Sequence, residues 1–222
     1  MATRKATELA SKPAFETATF RATEARQLFT LPHETHFFTA GQVHSDAVAN
    51  CDDFEPAANE ESQMMPDCDA LISTRAGTVL AIRTADCLPI LLFEPVQKII
   101  AAVHAGWRGV ENKITIKTIE KIKEIGGDPT KLLVWVGPAI GNCCFEVQGD
   151  VASKFTEVVI MRDGKTFVDL HAVLKKQLLH SGITKENIEW AERCTCCEQD
   201  VFVSHRREGT ARTSVNWSVI AL

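Results

Sequence analysis

No stretch of this sequence approaches the roughly 20 consecutive apolar residues needed to cross a bilayer, because charge interrupts every apolar run well short of that length. A membrane partner is therefore not expected. No run of Lys or Arg occurs either, and 24 basic against 29 acidic residues leave a net charge of −5. The basic footprint that a phosphate backbone requires is missing, which excludes nucleic acid as a partner class. The first residues lack the apolar core of a secretory signal, and Glu8, Glu16 and Glu24 argue against a transit peptide. The expected compartment is cytoplasmic. In that setting the eight cysteines read as thiols or thiolate ligands, since a disulfide scaffold belongs to short secreted chains. Histidine is also limited, to seven residues with no His-x-His pair.

The 222 residues, 45% of them hydrophobic and 24% charged, are enough to bury a substantial core in a single domain. Met1 to about Gln27 is Ala/Thr-rich and weakly periodic, whereas Thr78 to Ala139 is dense in β-branched residues. Short apolar runs at Val79 to Ile82, Pro89 to Phe93, Ile99 to His104 and Leu132 to Val136 predict buried strands. Ile116, Ile119 and Ile122 recur at helical spacing up to Gly126-Gly127, predicting an amphipathic helix that stops there. Further helices are expected over 149–161 and 168–180, and closing strands at Val201 to Ser204 and Ser214 to Ile220. Between Asp46 and Asp69 lie eight acidic residues and no Lys or Arg, which reads as a long solvated excursion. No internal repeat is present, and strands and helices do not alternate strictly, so the class is α+β.

Three pieces place reactive residues at the ends of predicted strands, where a sheet can aim them into a cleft: Gln42-Val-His-Ser45, Ala85-Asp-Cys-Leu88 and Val103-His-Ala-Gly-Trp-Arg-Gly109. Their reactive members, His44, Cys87 and His104, would leave a fourth tetrahedral position open, as in a catalytic zinc site. Spacings of 43 and 17 residues match no local metal motif, so from spacing alone a hydrogen-bonded structural His104 at a strand end is the favoured reading. Gly106 and Gly109 bracket Trp107-Arg108 and permit a tight turn with close backbone approach. His205 to Arg212 concentrates Arg206, Arg207 and Arg212 after an apolar run, the best anion-binding stretch in the chain. Cys194, Cys196 and Cys197 resemble a metal knuckle, but no second Cys or His pair stands near them in sequence, and they read as structural.

Gln42-Val-His, Thr84-Ala-Asp-Cys-Leu-Pro, Ala102-Val-His-Ala-Gly-Trp-Arg-Gly, Gly137-Pro-Ala-Ile-Gly-Asn-Cys-Cys-Phe-Glu-Val and Cys194-Thr-Cys-Cys leading into Arg206-Arg207-Glu-Gly occur in that order. Together they resemble the purine nucleoside phosphorylase family of the YfiH, YlmD and laccase domain-containing type, formerly called multicopper polyphenol oxidases. The resemblance spans residues 42–222 as one domain and does not extend over 1–41, where the family's Thr-Arg-x-Gly-Gly turn and Ser-Leu-Asn-Leu strand have no counterpart. It implies a four-layer α/β/β/α fold with mixed sheets, and zinc held by His44, Cys87 and His104. It further implies phosphorolysis of adenosine, inosine and S-methyl-5'-thioadenosine, together with deamination of adenosine to inosine. Purine nucleosides and phosphate are then the partners, and the protein a monomer or small homo-oligomer. Arg206, Arg207 and Arg108 are the expected substrate or phosphate ligands, and Asp86 or Glu146 the proton carrier.

Two other chemistries use the same residues. Two His and one Cys also form a copper ligand set, with Met64, Met65 or Met161 as axial ligand, although a four-copper oxidase needs about ten imidazoles, more than this chain holds. A Cys87–His104 dyad would make a metal-free cysteine hydrolase. A third reading keeps the scaffold as a non-catalytic interaction protein.

Overall fold

A computed structural model describes residues 35–55 and 62–222, and the backbone of 20–22. Much of the 1–41 segment and the centre of the acidic 46–69 stretch lie outside the described residues. Two mixed sheets dominate. The larger has six strands: β3 (Val48–Asn50), β5 (Ala70–Ser73), β7 (Leu88–Glu94), β8 (Ile99–Ala105), β9 (Leu133–Val136) and β12 (Ile188–Trp190), in the order β12-β9-β7-β8-β5-β3. The other has five: β1 (Phe20–Ala22), β2 (His36–Ala40), β4 (Gln63–Met65), β6 (Thr78–Thr84) and β13 (Val215–Ala221), ordered β1-β13-β6-β2-β4. A hairpin, β10 (Val159–Arg162) with β11 (Lys165–Val168), stands apart. The four central apolar runs and the last one are strands, as the sequence predicts.

Burial on both faces explains why those runs are continuous rather than alternating. Along β8, Ile99, Ala101, Val103 and Ala105 enter the core beneath the helices, while Ile100 and Ala102 face the second sheet. Strand alternation therefore puts His104 on the inter-sheet side. On β5, Ala70 and Ile72 face the helices and Leu71 the second sheet, so Asp69, one residue before the strand, also falls on the inter-sheet side. Phe38, Leu80, Ile82, Leu91 and Trp135 fill the space between the sheets. Each such side chain contributes about 1.5–3 kcal/mol when fully buried.

Three helices follow: α1 (Trp107–Glu111) and α2 (Ile114–Glu124) after β8, and α3 (Gly149–Ala152). The expected helix over 149–161 is thus one turn long, and Val159 onward pairs as β10. The fourth, α4 (Leu170–His180), starts where the Asp169 carboxylate accepts the Ala172 N–H. A fifth, α5 (His205–Glu208), is one turn before β13. Helix α2 ends where predicted, but its buried stripe is Ile114, Thr115, Thr118, Ile119 and Ile122, with Ile116 half-exposed. Gly127 is required there, since a Cβ would lie 2.4 Å from Ile122 Cγ2.

Helices α1, α2 and α4 cover the outer face of the six-stranded sheet, giving α/β/β layering. The outer face of the other sheet buries Phe37, Val79, Ala81, Trp217 and Val219, but no fourth, helical layer is seen among the described residues. Val201 to Ser204 is not a strand. Both main-chain groups of Val203 bond instead to the buried Asn216 side chain of β13, at 2.9 and 2.8 Å. Nor is 46–69 wholly solvated: it contains β3 and β4 and ends at Asp69, which is fully buried.

Candidate active site and metal centre

Strands β2 and β6 run parallel, so the turn after β2 and the β6–β7 turn open at the same end of the sheets. In the antiparallel β7–β8 pair, Pro89 lies opposite His104, which brings the end of β8 to that same place. The donor atoms of His44, Cys87 and His104 consequently converge within 4.8 Å of one another. The Cys87 Sγ lies 3.9 Å from His44 Nε2, and the two imidazoles meet edge to face at 5.0 Å between centroids. His104 is buried and His44 exposed, so the group opens toward solvent on the His44 side.

Asp69 builds this geometry. Its carboxylate accepts the main-chain N–H groups of Val43 (3.1 Å), His44 (3.1 Å) and Ser45 (2.7 Å), and the Ser45 hydroxyl (2.9 Å). Those bonds bend the chain around the carboxylate and hold His44 in the left-handed region at φ 60°. The same carboxylate takes His104 Nδ1 at 2.7 Å, which leaves Nε2 to face Cys87 and His44. The antiparallel register of Ala70 with Val103 places the two side by side. Sequence reasoning placed Asp69 at the end of a solvated loop. The available signal was a carboxylate directly before the apolar run Ala70 to Ser73, a poor place for an unpartnered charge.

Burial pushes the Cys87 thiol up, but His104 and His44 more than offset it and bring it down to about 7. Burial disfavours the charged form of His104, yet Asp69 and Cys87 together raise it to about 9. Without a cation these shifts favour a thiolate beside an imidazolium between about pH 7 and 9. A thiolate and two imidazoles with a carboxylate behind one of them form a donor set that could hold a metal ion, and the donor types fit zinc or copper. Gly106 makes room for it: a Cβ there would stand 3.0 Å from His44 Cδ2 and 3.1 Å from Cys87 Sγ.

The remaining residues singled out in the sequence have other engagements. Asp86, in the β6–β7 turn at φ 97°, accepts the Thr195 hydroxyl at 2.7 Å and the Arg206 N–H at 2.6 Å. Arg206 is exposed, donates to the Cys144 carbonyl at 3.1 Å and lies over the Phe145 ring. The guanidinium of Arg207 is taken up by the carbonyls of Thr195, Cys196 and Phe202 and by Glu208, so its geometry is that of a loop strut rather than a free anion ligand. Arg108 is exposed and stacks on Trp107 at 4.2 Å. Glu146 pairs with Lys165 at 2.9 Å.

Cys194 and Cys197 do have a second pair beside them, contrary to the sequence reading. Cys143 and Cys144, in the loop after β9, lie against them, and all four sulfurs fall within 4.8 Å of one another. Cys196 is not among them. Sequence separations of 54 and 53 residues between the contacting sulfurs hid this proximity.

A family model described as multi-copper polyphenol oxidoreductase laccase matches residues 16–222. A purine nucleoside phosphorylase of Corynebacterium glutamicum is 37% identical over 174 residues, covering 76% of this chain and 68% of that protein. The adenosine deaminase RL5 of an unknown prokaryotic organism is 32% identical over 179 residues, covering 76% and 68%. Among solved structures, the Bacillus licheniformis protein YfiH superposes with a TM-score of 0.76 at 27% identity, covering 89% of this chain and 78% of that one. With the motifs, the mixed double sheet and the match over nearly the whole sequence in agreement, the chain belongs to the YfiH family, whose model carries the polyphenol oxidoreductase name.

Proposed function

We propose that this protein is a zinc-dependent purine nucleoside enzyme. It cleaves adenosine, inosine and S-methyl-5'-thioadenosine with phosphate, and it hydrolyses adenosine to inosine and ammonia. The observation that carries this reading is the open three-donor group of His44, Cys87 and His104 backed by Asp69. The names of the similar phosphorylase and deaminase support the substrate class. Two imidazoles and one thiolate with a free fourth position suit zinc, which when bound supplies Lewis acidity at that position.

The chain's own residues do the rest. Asp69 fixes the His104 tautomer and the turn that carries His44. In phosphorolysis an oxygen of hydrogen phosphate bonds to C1′ as the bond from C1′ to the base nitrogen breaks. The base leaves with the bonding pair and takes up the proton the phosphate gives up, and the exposed guanidinium groups of Arg206 and Arg108 bind the anion. Arg207 positions Arg206 by pinning their shared turn. In deamination, water adds at C6 and ammonia leaves, which requires one proton to pass from the incoming water to the leaving nitrogen. We assign that transfer to Asp86, which reaches the Thr195 hydroxyl, ahead of Glu146, which is paired with Lys165.

The test is chromatography of products from inosine and from adenosine, with and without phosphate, beside His44→Ala. Phosphate-dependent hypoxanthine or adenine, and inosine from adenosine, all lost in the variant, are the expected results. No product from any nucleoside overturns the proposal. A second reading rests on the thiolate–imidazolium state of Cys87 and His104: activity that survives complete metal removal and disappears on Cys87 alkylation would establish a cysteine hydrolase instead.

A further inference from the structure

Cys143, Cys144, Cys194 and Cys197 come from two loops that meet beside the turn carrying Asp86, the residue before Cys87. Cys143 Sγ lies 3.6 Å and Cys144 Sγ 3.4 Å from Cys197 Sγ, and all four sulfurs fit within 4.8 Å. In a zinc–thiolate tetrahedron, bonds of about 2.3 Å set the sulfurs about 3.8 Å apart, so this is the spacing of a ligand cage. It is not that of a disulfide, whose sulfurs approach to about 2 Å. Cys194 and Cys197 form a Cys-x-x-Cys knuckle, and the Gly141 N–H points at Cys194 Sγ at 3.3 Å, where it would stabilise a thiolate. The backbone also shows an adaptation to the sulfurs. A Cβ on Gly141 would stand 3.1 Å from Cys143 Sγ and 3.5 Å from Cys194 Cβ, so a larger residue there would crowd the group.

We propose that these four cysteines bind a second zinc ion, in a closed all-thiolate site with a structural role. Both loops contribute to the active-site surroundings. Thr195, inside the knuckle, bonds to Asp86, and Arg207 holds the Thr195 and Cys196 carbonyls. Arg206 donates to the Cys144 carbonyl, and Arg162 to that of Cys143. A metal here would join the loop after β9 to the loop before β13 and so hold Arg206 in place, without an open position for catalysis.

The test is metal content by mass spectrometry of protein purified under reducing conditions in zinc. Wild type is expected to hold two zinc ions per chain, and Cys194→Ser/Cys197→Ser and His44→Ala/Cys87→Ser one each. Cobalt substitution supplies a separate readout, because thiolate-to-cobalt absorption counts sulfurs: the His44→Ala/Cys87→Ser protein should keep most of the wild-type intensity. One zinc in wild type, lost entirely in His44→Ala/Cys87→Ser, overturns the second site whether or not the first is correct. Two zinc ions in Cys194→Ser/Cys197→Ser would overturn it as well. If that variant does not fold, a thiol-specific mercurial titrated into the His44→Ala/Cys87→Ser protein decides: release of one zinc ion supports the proposal, and release of none refutes it. A Cys143 or Cys144 disulfide to Cys197 in freshly reduced and desalted protein also refutes it.

Discussion

At the scale of single residues, Asp69 is the position on which the site depends. Five hydrogen bonds end on a fully buried carboxylate, which orients the His104 ring and holds the main chain that carries His44. Burial works to raise its pKa, but His104 and Ser45 outweigh that and hold it below the ordinary 3.8. A depressed carboxyl contributes stability above its unfolded value and loses it as pH falls through the folded one. This contribution should therefore be complete above about pH 4–5 and vanish in stronger acid. Asp69→Asn keeps the shape and removes the charge. Zinc affinity should drop roughly 10- to 100-fold, and stability at neutral pH by about 3 kcal/mol. A chelator competition and a urea titration measure the two. Unchanged affinity would show that the carboxylate does not orient the imidazole.

Among elements, the segment between the knuckle and β13 shows how a side chain can substitute for a strand. Val203 is fully buried and its main chain needs partners, which the Asn216 amide supplies as both donor and acceptor. The Ser204 cap and α5, with Arg206 and Arg207, begin at the next residue. Asn216→Ala should leave two buried main-chain groups unpaired and cost about 2–4 kcal/mol. Hydrogen exchange should quicken from Val203 to Glu208 and remain slow in β6, which pairs with β13 through main-chain bonds. Exchange that accelerates equally in both places would mean that Asn216 supports the whole sheet instead.

For the whole molecule, the question is whether the fold depends on metal. Two sheets share an apolar interior and one is covered by helices, so the core exists without an ion. Stripping metal with a chelator should lower the melting temperature and leave the far-ultraviolet dichroism intact, with recovery on adding zinc. In the stripped protein Cys87 is held to about 7 by its two histidines, so its alkylation rate should rise with a midpoint near pH 7, and zinc should suppress it. A midpoint near the ordinary thiol value of 9 would place the histidines out of reach of the sulfur in solution.

The central strands were legible because runs such as Ile99 to His104 are apolar at every position, which only a doubly covered strand tolerates. Helix α2 was legible from its period and its terminating glycines. The acidic stretch misled because composition reports average exposure, whereas Asp69 is paired with partners 24 to 35 residues away. The one-turn α3 and the irregular Val201 to Ser204 segment failed for a related reason: local propensity lost to strand pairing with β11 and to the Asn216 side chain of β13. By itself the sequence determined the α+β class, the central strands, the end of α2 and the motif residues, since burial and backbone preference act on near neighbours. Only the tertiary structure decided that Asp69 stands behind both histidines, that Arg207 is a strut, and that two distant cysteine pairs meet. Those are contacts across dozens of residues, set by strand register and loop closure, which no local pattern encodes.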